Sequence, residues 1–131
     1  MILLDTRALI WYLAEPEKMS KAGTRAADAG FAGQGVAVVD ITLWEIAMLA
    51  QKKRVVFTKD VQEWLQDLAL LPHFRCLPVA AAIAALSTRL PGRFHQDPVD
   101  RLLVAAAIDL GAPLVTKDDR IQRYPHVQTI W

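Results

Sequence analysis

Four acidic residues stand where a strand is predicted to end or a helix to begin. They are Asp5, Glu45, Asp100 and Asp118. In an open α/β sheet, ligands bind outside the carboxyl ends of the strands, and such a fold can bring these positions to one rim. Carboxylates gathered there repel one another, which raises some of their pKa values unless a cation binds. Oxygen ligands of this kind suit Mg²⁺ or Mn²⁺ rather than zinc, so we expect one of these two ions as the cofactor.

Most of these acids also have a purely structural explanation. Asp5 follows a predicted strand and can cap the helix after it. In the segment 97–100, Asp97 can be the N-cap, the next residue is a proline suited to the first helical position, and Asp100 favours the helix dipole. For the segment 116–119, a strand-to-helix turn with a capping box is the structural alternative. Taken alone, Asp5 and the segment 97–100 are better explained by capping than by chemistry.

Glu45 is harder to explain as a structural residue. It is the only charged residue between Leu43 and Ala50, and no lysine or arginine stands three or four positions away to form an ion pair on the helix surface. Its neighbours are apolar nearly all round, so the helix is expected to be largely buried, and a buried carboxylate needs a partner, a proton or a metal. Thr42 and Glu45 also fit a capping box. The sequence leaves both interpretations open.

The elements that must position these acids alternate along the chain. Short apolar runs predict strands at 2–4, 36–39, 75–77, 114–116 and near 127–131. Helical patterns lie between them, at 6–14, 20–32, 42–53, 60–71, 79–90 and 98–110. Strands separated by helices predict an α/β fold with a mostly parallel sheet covered on both faces. Because the sequence contains no linker and no repeat, we expect a single domain over 1–131.

Composition narrows the classes of function. With 53% hydrophobic and 22% charged residues, the 131-residue chain resembles a compact soluble protein. The net charge of +1 gives no global attraction for nucleic acid, so a polyanion must be met by a local patch. The single cysteine, Cys76, excludes an internal disulfide and a multi-cysteine zinc site. We find no targeting segment and no apolar run long enough to cross a membrane, and expect a cytoplasmic protein.

Three segments together resemble the PIN-domain family, and specifically the VapC-type toxins of bacterial toxin–antitoxin pairs. They are MILLDTRALIWYL, ITLWEIAML and HQDPVDRLLVAAAIDLGAPLVTKDDRIQRYPHVQTIW. The resemblance spans nearly the whole chain, and the segment from His95 onward is the most specific part. It implies a three-layer α/β/α sandwich and a metal-dependent ribonuclease. It also implies an antitoxin partner, whose tail would block the acidic pocket.

The resemblance also implies roles for individual residues. Thr116 matches the hydroxyl residue that commonly precedes the last acid, and Asp97 belongs to an Asp-Pro signature outside the usual acidic set. Asp5 and Asp100 match the most dependable metal-binding positions. The catalytic acidic quartet of the family is matched by Asp5, Glu45, Asp100 and Asp118.

In the implied reaction, the metal ion coordinates the scissile phosphate and a water molecule, and lowers the pKa of that water. Glu45 or Asp118 could orient the water. An acidic site repels RNA unless its rim is basic, so positive residues must surround it. The candidate RNA contacts adjoin the acids in sequence and are each equally explained as solvated surface charge: Arg7, Arg101, Lys117 and Arg120.

Large apolar side chains are numerous for so small a chain. Family members usually form homodimers, so we expect a homodimer. The alternative is that all of these side chains belong to the core. They are Trp11, Tyr12, Trp44, Trp64 and Trp131.

The sequence departs from the family pattern at two positions. Asp40 stands where relatives often carry a small or hydroxyl residue, so a fifth acid could join or perturb the site. Lys53 stands where relatives usually have glycine, which puts the local turn in doubt. A phosphoacceptor receiver domain, with Asp40 as acceptor and Lys117 near the last strand, is one competing interpretation. A binding module whose acids are all helix caps is the other.

Overall fold

The computed structural model describes all 131 residues and contains one sheet of five strands. Every strand pairing is parallel, and the strand order across the sheet is β3-β2-β1-β4-β5. The strands are β1 (Ile2–Leu4), β2 (Val36–Val39), β3 (Phe74–Leu77), β4 (Leu114–Val115) and β5 (Thr129–Ile130). All five lie where the sequence predicts strands; β1 and β2 have the predicted ends, and the ends of the other three are displaced by at most two residues.

Seven α-helices connect or follow these strands. They are α1 (Thr6–Ala14), α2 (Lys21–Ala29), α3 (Ile41–Gln51), α4 (Val61–Asp67), α5 (Ala81–Thr88), α6 (Pro98–Leu110) and α7 (Asp119–Gln122). Short 3₁₀ turns lie at Pro16–Lys18 and Leu68–Leu70, and a π turn at Gly30–Gln34 extends α2. None of these helices is both long and apolar enough to span a membrane.

Alternating strand residues build a separate core on each face of the sheet. Ile2 and Leu4 point to the face covered by α1 and α3, where they pack with residues such as Ile46. Leu3 points to the opposite face and packs with Leu103 on α6. Because a parallel sheet buries both faces, the central strands β1, β2 and β4 are apolar throughout instead of alternating with polar residues. The expected α/β/α sandwich is confirmed.

Side-chain caps fix the starts of several helices. Asp97 is the N-cap of α6, and its Oδ1 accepts a hydrogen bond from the Asp100 backbone N–H at 3.0 Å. Ser20 caps α2 in the same way through the Gly23 N–H at 2.9 Å. Helix α6 ends at Gly111, whose φ of 61° is the left-handed conformation that terminates many helices. Lys53 takes the same region, with φ 57°, just after α3. The turn at position 53, where relatives usually have glycine, is therefore made by a lysine in a backbone conformation that favours glycine.

The two capping boxes suggested by the sequence do not form. Helix α3 begins at Ile41, so Thr42 lies inside it, fully buried, and its hydroxyl accepts a hydrogen bond from Thr6. Helix α7 is capped by Asp118 and not by Thr116, whose hydroxyl instead accepts a hydrogen bond from the Asp118 N–H at 3.1 Å. Glu45 is therefore not a capping residue.

The strand order reverses between β1 and β4. Strands β2 and β3 extend the sheet on one side of β1, and β4 and β5 extend it on the other. The ends of β1 and β4 are joined by a hydrogen bond from the Asp5 N–H to the Val115 carbonyl, at 3.1 Å. The connections on either side diverge at such a point and leave a crevice above the carboxyl ends of the strands, where ligands bind in this class of fold.

Candidate active site

All four predicted catalytic acids line one cavity of about 610 Å³ at the reversal of strand order. Asp5 ends β1, Glu45 lies on α3, Asp100 is in the first turn of α6, and Asp118 precedes α7. Asp97, predicted as a supporting residue, lines the same cavity. Thr116 is fully buried at the end of β4 and holds the Asp118 backbone through its hydroxyl. The structure thus brings together the acids that the sequence spreads over 114 positions.

Helix capping and a place in the acidic pocket are compatible because a carboxylate has two oxygens. Asp5 uses Oδ1 to accept the Ala8 N–H at 2.7 Å. Asp118 uses Oδ1 to accept the N–H groups of Arg120 and Ile121, at 2.8 and 3.3 Å. The Oδ2 atom of each residue takes no part in its cap. The capping bonds therefore fix the orientation of the carboxylates and leave Oδ2 outside the cap, although Asp118 Oδ2 accepts a hydrogen bond from the Arg120 guanidinium at 3.4 Å.

Two of the acids have strongly raised pKa values. Burial raises the pKa of Asp100 to about 7, and the charges of Asp97, Asp118 and Glu45 add to this effect. Burial likewise raises the pKa of Asp5 to about 6, although hydrogen bonds from Thr116 and the Ala8 N–H oppose the rise. Without a cation, the pocket therefore holds part of its carboxyl groups protonated near neutral pH.

Asp118 behaves differently because an arginine lies beside it. Burial alone would raise its pKa, but hydrogen bonds from the Arg120 side chain and from the backbone N–H groups of Arg120 and Ile121 together lower it. One guanidinium nitrogen of Arg120 lies 3.4 Å from Asp118 Oδ2 and 3.7 Å from Asp100 Oδ2. Arg120 thus supplies positive charge between two of the acids.

His95 lies beside the site, although no sequence pattern assigns it a role. Its Nε2 lies 3.1 Å from Asp100 Oδ2, yet this buried nitrogen has no partner in hydrogen-bond geometry. His95 is on the loop before α6, five positions ahead of Asp100, which is not a helical or metal-ligand spacing. Only the folding of that loop onto the helix start brings the two side chains together.

The donor set fits Mg²⁺ or Mn²⁺ better than a metal that needs a complete protein cage. The pocket offers carboxylate oxygens, which hard divalent cations prefer. No three histidine, cysteine, aspartate or glutamate side chains converge closely enough to form a ready-made metal cluster. Magnesium commonly binds through one or two carboxylates and keeps several waters, so the pocket acids can supply its protein ligands. Beside Asp100, the Nε2 of His95 has no hydrogen-bond partner.

Basic side chains surround the acids. Arg7, Lys117 and Arg120, three of the four predicted RNA contacts, line the cavity, and so does Arg54, which the sequence did not single out. The Lys117 ammonium lies 5.8 Å from the ring centre of Trp11, on the same cavity wall. Arg54 follows α3 and is far from any acid in sequence, so adjacency along the chain could not find it.

The structure does not support Arg101 as an RNA contact. Its guanidinium donates hydrogen bonds to the backbone carbonyls of Ser87, Phe94 and His95, at 2.7, 3.0 and 3.1 Å. The side chain is half-buried and does not line the acidic cavity. Proximity to Asp100 in sequence was misleading because residues 100 and 101 of a helix point in directions about 100° apart.

Asp40 does not join the acidic site. It is exposed before α3, does not line the cavity, and adds to the effect of burial in raising the pKa of Cys76 on β3. A receiver domain would need Asp40 among the other acids, close to Lys117. Since Lys117 lines the cavity and Asp40 does not, the structure argues against that interpretation.

A family model described as "PIN domain" matches residues 2–127 of this chain. The chain belongs to the PIN domain family. Among curated PIN-domain relatives, Ribonuclease VapC22 of Mycobacterium tuberculosis is 38% identical over 132 residues, which cover 99% of this chain and 98% of the relative. The resemblance inferred from the sequence motifs is therefore confirmed.

Solved structures show the same PIN fold. VapBC2 from Rickettsia felis, bound to a DNA fragment from its promoter, matches with a TM-score of 0.70 and 18% identity, covering 98% of this chain and 97% of the matched chain. FitAcB from Neisseria gonorrhoeae matches with a TM-score of 0.67 and 20% identity, covering 98% and 96%. At these identities the likeness supports the fold alone.

Proposed function

We propose that this PIN-domain protein is a metal-dependent endoribonuclease that acts as the toxin of a toxin–antitoxin pair. The observation that carries the proposal is the convergence of Asp5, Glu45, Asp100 and Asp118 on one cavity at the reversal of strand order. The VapC22 relative is named a ribonuclease and is similar along almost its whole length. That similarity supports the choice of RNA as substrate.

In the proposed mechanism, Asp5 and Asp100 would hold a magnesium or manganese ion. When bound, the ion would neutralise charge on the phosphoryl oxygens and lower the pKa of a coordinated water. Asp118 has a lowered pKa and stays ionised, so it can accept a proton or orient a water molecule at neutral pH. Glu45 is half-buried on α3 and faces the same space, where it can share this task.

The basic rim would draw RNA to an otherwise repulsive site. Arg7, Arg54 and Lys117 line the cavity beside the acids and form none of the ion pairs found in the structure. Their charges are therefore free to meet phosphate groups. Arg120 is in contact with Asp100 and Asp118 and would hold a phosphate beside them.

The direct test is RNA cleavage by the purified chain with Mg²⁺, with Mn²⁺ and with EDTA. We expect cleavage only with a divalent metal, and a loss of at least a hundredfold in Asp5→Asn. Asp109→Asn is a matched control, since Asp109 is exposed on α6 and does not line the cavity. Cleavage that persists in EDTA, or that survives in Asp5→Asn at the rate of the control, would contradict the proposal.

We also propose a homodimer that binds a cognate antitoxin. Trp44 is 56% exposed on α3, so the alternative that all five large aromatic side chains are core residues does not hold for it. Trp11, in contrast, packs against Trp131 at 5.9 Å between ring centres, and Trp64 stacks on Phe57 at 4.4 Å. Light scattering at micromolar concentration should give the mass of two chains, and a monomeric mass would rule out the stable dimer. Trp44→Glu should weaken the dimer without loss of helical content.

A further inference from the structure

A second, basic cleft adjoins the acidic cavity. It has a volume of about 290 Å³ and is lined by Arg93, Arg120 and Arg123 together with the rings of Phe94, His95 and Tyr124. None of the four acids lines it. Three guanidinium groups around so small a space form a local concentration of positive charge in a chain whose net charge is only +1.

The basic cleft and the acidic cavity share a wall. Arg120 lines both spaces, and His95 lines the cleft while its Nε2 lies 3.1 Å from Asp100 Oδ2 in the cavity. The phosphates of a nucleic-acid strand are regularly spaced. A strand with one phosphate at the acids can therefore place the next phosphate in the cleft. No other cavity of comparable size shares Arg120 with the acidic one.

Two of the arginines are free to bind an anion. Arg93 and Arg123 are exposed and take part in none of the ion pairs of the structure. Arg123 uses only its Nε, which donates to the Asp119 carbonyl at 3.3 Å, so its terminal NH₂ groups remain available. A guanidinium presents paired N–H groups that match two oxygens of a phosphate.

The aromatic side chains form a fixed floor to the cleft. The Tyr124 hydroxyl donates to the Pro91 carbonyl, and the Tyr124 ring is buried against Phe94 at 4.9 Å between centres. Phe94 in turn packs on His95 at 4.3 Å. Because these rings are already packed on one another, the floor of the cleft is fixed before any ligand binds.

We propose that the arginine cleft formed by Arg93, Arg120 and Arg123 binds a backbone phosphate of the RNA next to the one that is cut. The proposal rests on the ribonuclease function proposed above and extends it to the path of the substrate. The cleft recognises phosphate and not base identity, so its contribution is independent of sequence. Arg120 is shared with the acids, whereas Arg93 and Arg123 pair with none of them and therefore contribute to RNA binding without any metal.

The first test measures RNA binding in EDTA. The readout is the fluorescence anisotropy of fluorescein-labelled oligouridylate and oligoadenylate, recorded over a range of salt concentrations. Arg93→Gln and Arg123→Gln should each weaken binding on the order of threefold and lower the salt slope by about 0.7, equally for both RNAs. Arg75→Gln is the control, since Arg75 is exposed on β3 at the sheet edge and lines neither space. If the cleft variants match Arg75→Gln in affinity and slope, the proposal is wrong.

The second test locates the phosphate. Oligonucleotides that carry a single neutral methylphosphonate, placed at each position in turn, should show one position beside the cut where the parent protein loses affinity. In Arg93→Gln/Arg123→Gln that loss should disappear, because the contact is already absent. The double variant Arg93→Lys/Arg123→Gln should show part of the loss again, since lysine keeps the charge but lacks the paired N–H groups. Equal losses in parent and double variant at every position would overturn the proposal.

The outcomes separate this proposal from the one on which it rests. If the parent protein binds RNA with the expected arginine dependence but never cleaves it, the ribonuclease function fails and the cleft stands. If the parent cleaves RNA and the cleft variants bind it as tightly as the parent, only the cleft proposal fails. Variants that keep full RNA affinity but lose affinity for the antitoxin would also overturn it, because the cleft would then be a protein-binding surface.

Discussion

The imidazole Nε2 of His95 lies 3.1 Å from Oδ2 of Asp100, the acid with the most strongly raised pKa in the pocket. Burial and the nearby charge of Arg120 lower the pKa of His95, so the ring is neutral at pH 7. Its Nδ1 accepts a hydrogen bond from the Asp97 backbone N–H at 3.3 Å. A neutral ring that accepts at Nδ1 carries its proton on Nε2. The Nε2–H of His95 therefore lies beside the Asp100 carboxylate, but not in hydrogen-bond geometry in the metal-free protein.

We expect His95→Phe to weaken Mg²⁺ binding by about tenfold, since side chains that orient metal-binding carboxylates contribute tenfold to a hundredfold to affinity. Phenylalanine keeps the packing against Phe94 but removes both the Nε2 donor and the Nδ1 acceptor of the Asp97 N–H. The measurement is a calorimetric Mg²⁺ titration, with His126→Phe as control because His126 is exposed and outside the cavity. Equal Mg²⁺ affinities in the two variants would show that the contact is only steric.

The pH dependence of stability should reveal the raised pKa values. Asp5 and Asp100 titrate near pH 6 and 7 in the metal-free fold, against 3.8 for an ordinary aspartate. Between about pH 4 and 7 the folded state binds more protons than the unfolded state, so the free energy of unfolding of the metal-free protein falls as pH rises through this window. Below it both states are protonated, and above it both are ionised.

Metal binding should show the opposite trend, because Mg²⁺ needs ionised carboxylates. At 100 times its Kd the ion would add roughly 2.7 kcal/mol to the free energy of unfolding, or on the order of 10 °C in Tm. Thermal melts with and without millimolar MgCl₂ should differ most at pH 7.5 and least near pH 5. A Tm that does not respond to metal at pH 7.5 would argue strongly against the metal site.

Arg101 should prove important for stability rather than for RNA binding. Its guanidinium joins three backbone carbonyls on α5 and on the loop that carries His95. Arg101→Met removes three charge-assisted hydrogen bonds and should lower the free energy of unfolding by about 2–4 kcal/mol. Arg89→Met, at an exposed arginine after α5, should change it by less than about 0.5 kcal/mol. Urea denaturation measures both, and similar midpoints would contradict this role.

Local patterns were sufficient to predict most of the fold. Helices α1 and α6 begin and end where the sequence places them, because Asp5 and Asp97 are unambiguous caps and Gly111 is an unambiguous stop. Helix α7 was not predicted as an element, since its four residues are too few for a periodic pattern. The start of α3 was misplaced because Thr42 resembles a cap, while burial against Thr6 places it inside the helix.

The site was less accessible from the sequence than the fold. The four acids could be grouped because each ends a strand or begins a helix, positions that a parallel sheet brings to one rim. His95 and Arg54 could not be found, since their places in the pocket depend on loop conformations that no local pattern encodes. Arg101 was predicted to contact RNA because it follows Asp100 in sequence, but its guanidinium points to backbone carbonyls outside the cavity. Adjacency to an acid along the chain does not decide which way a side chain points.

Asp97 and Asp100 allow capping and metal binding to be tested separately. Asp97 Oδ1 accepts the N–H of Asp100, so Asp97→Ala should lower the free energy of unfolding by about 0.5–2 kcal/mol. Asp97 also raises the pKa of Asp100 through its charge. Removal of that charge favours the ionised form of Asp100, which Mg²⁺ needs. The variant should therefore keep its Mg²⁺-induced rise in Tm, and most of its RNA cleavage when assayed below its melting temperature.

Asp100→Asn should have the opposite consequences. Asparagine keeps the size and polarity of the side chain but removes a carboxylate that is repelled by Asp97, Asp118 and Glu45. The metal-free variant should thus be at least as stable as the parent. It should nevertheless lose the Mg²⁺-induced rise in Tm and cleave RNA at least a hundredfold more slowly, because a neutral amide is a poor ligand for the cation. If these acids were helix caps alone, neither substitution would change the response to metal. Cleavage by Asp100→Asn at the parent rate would show that Asp100 does not hold the ion.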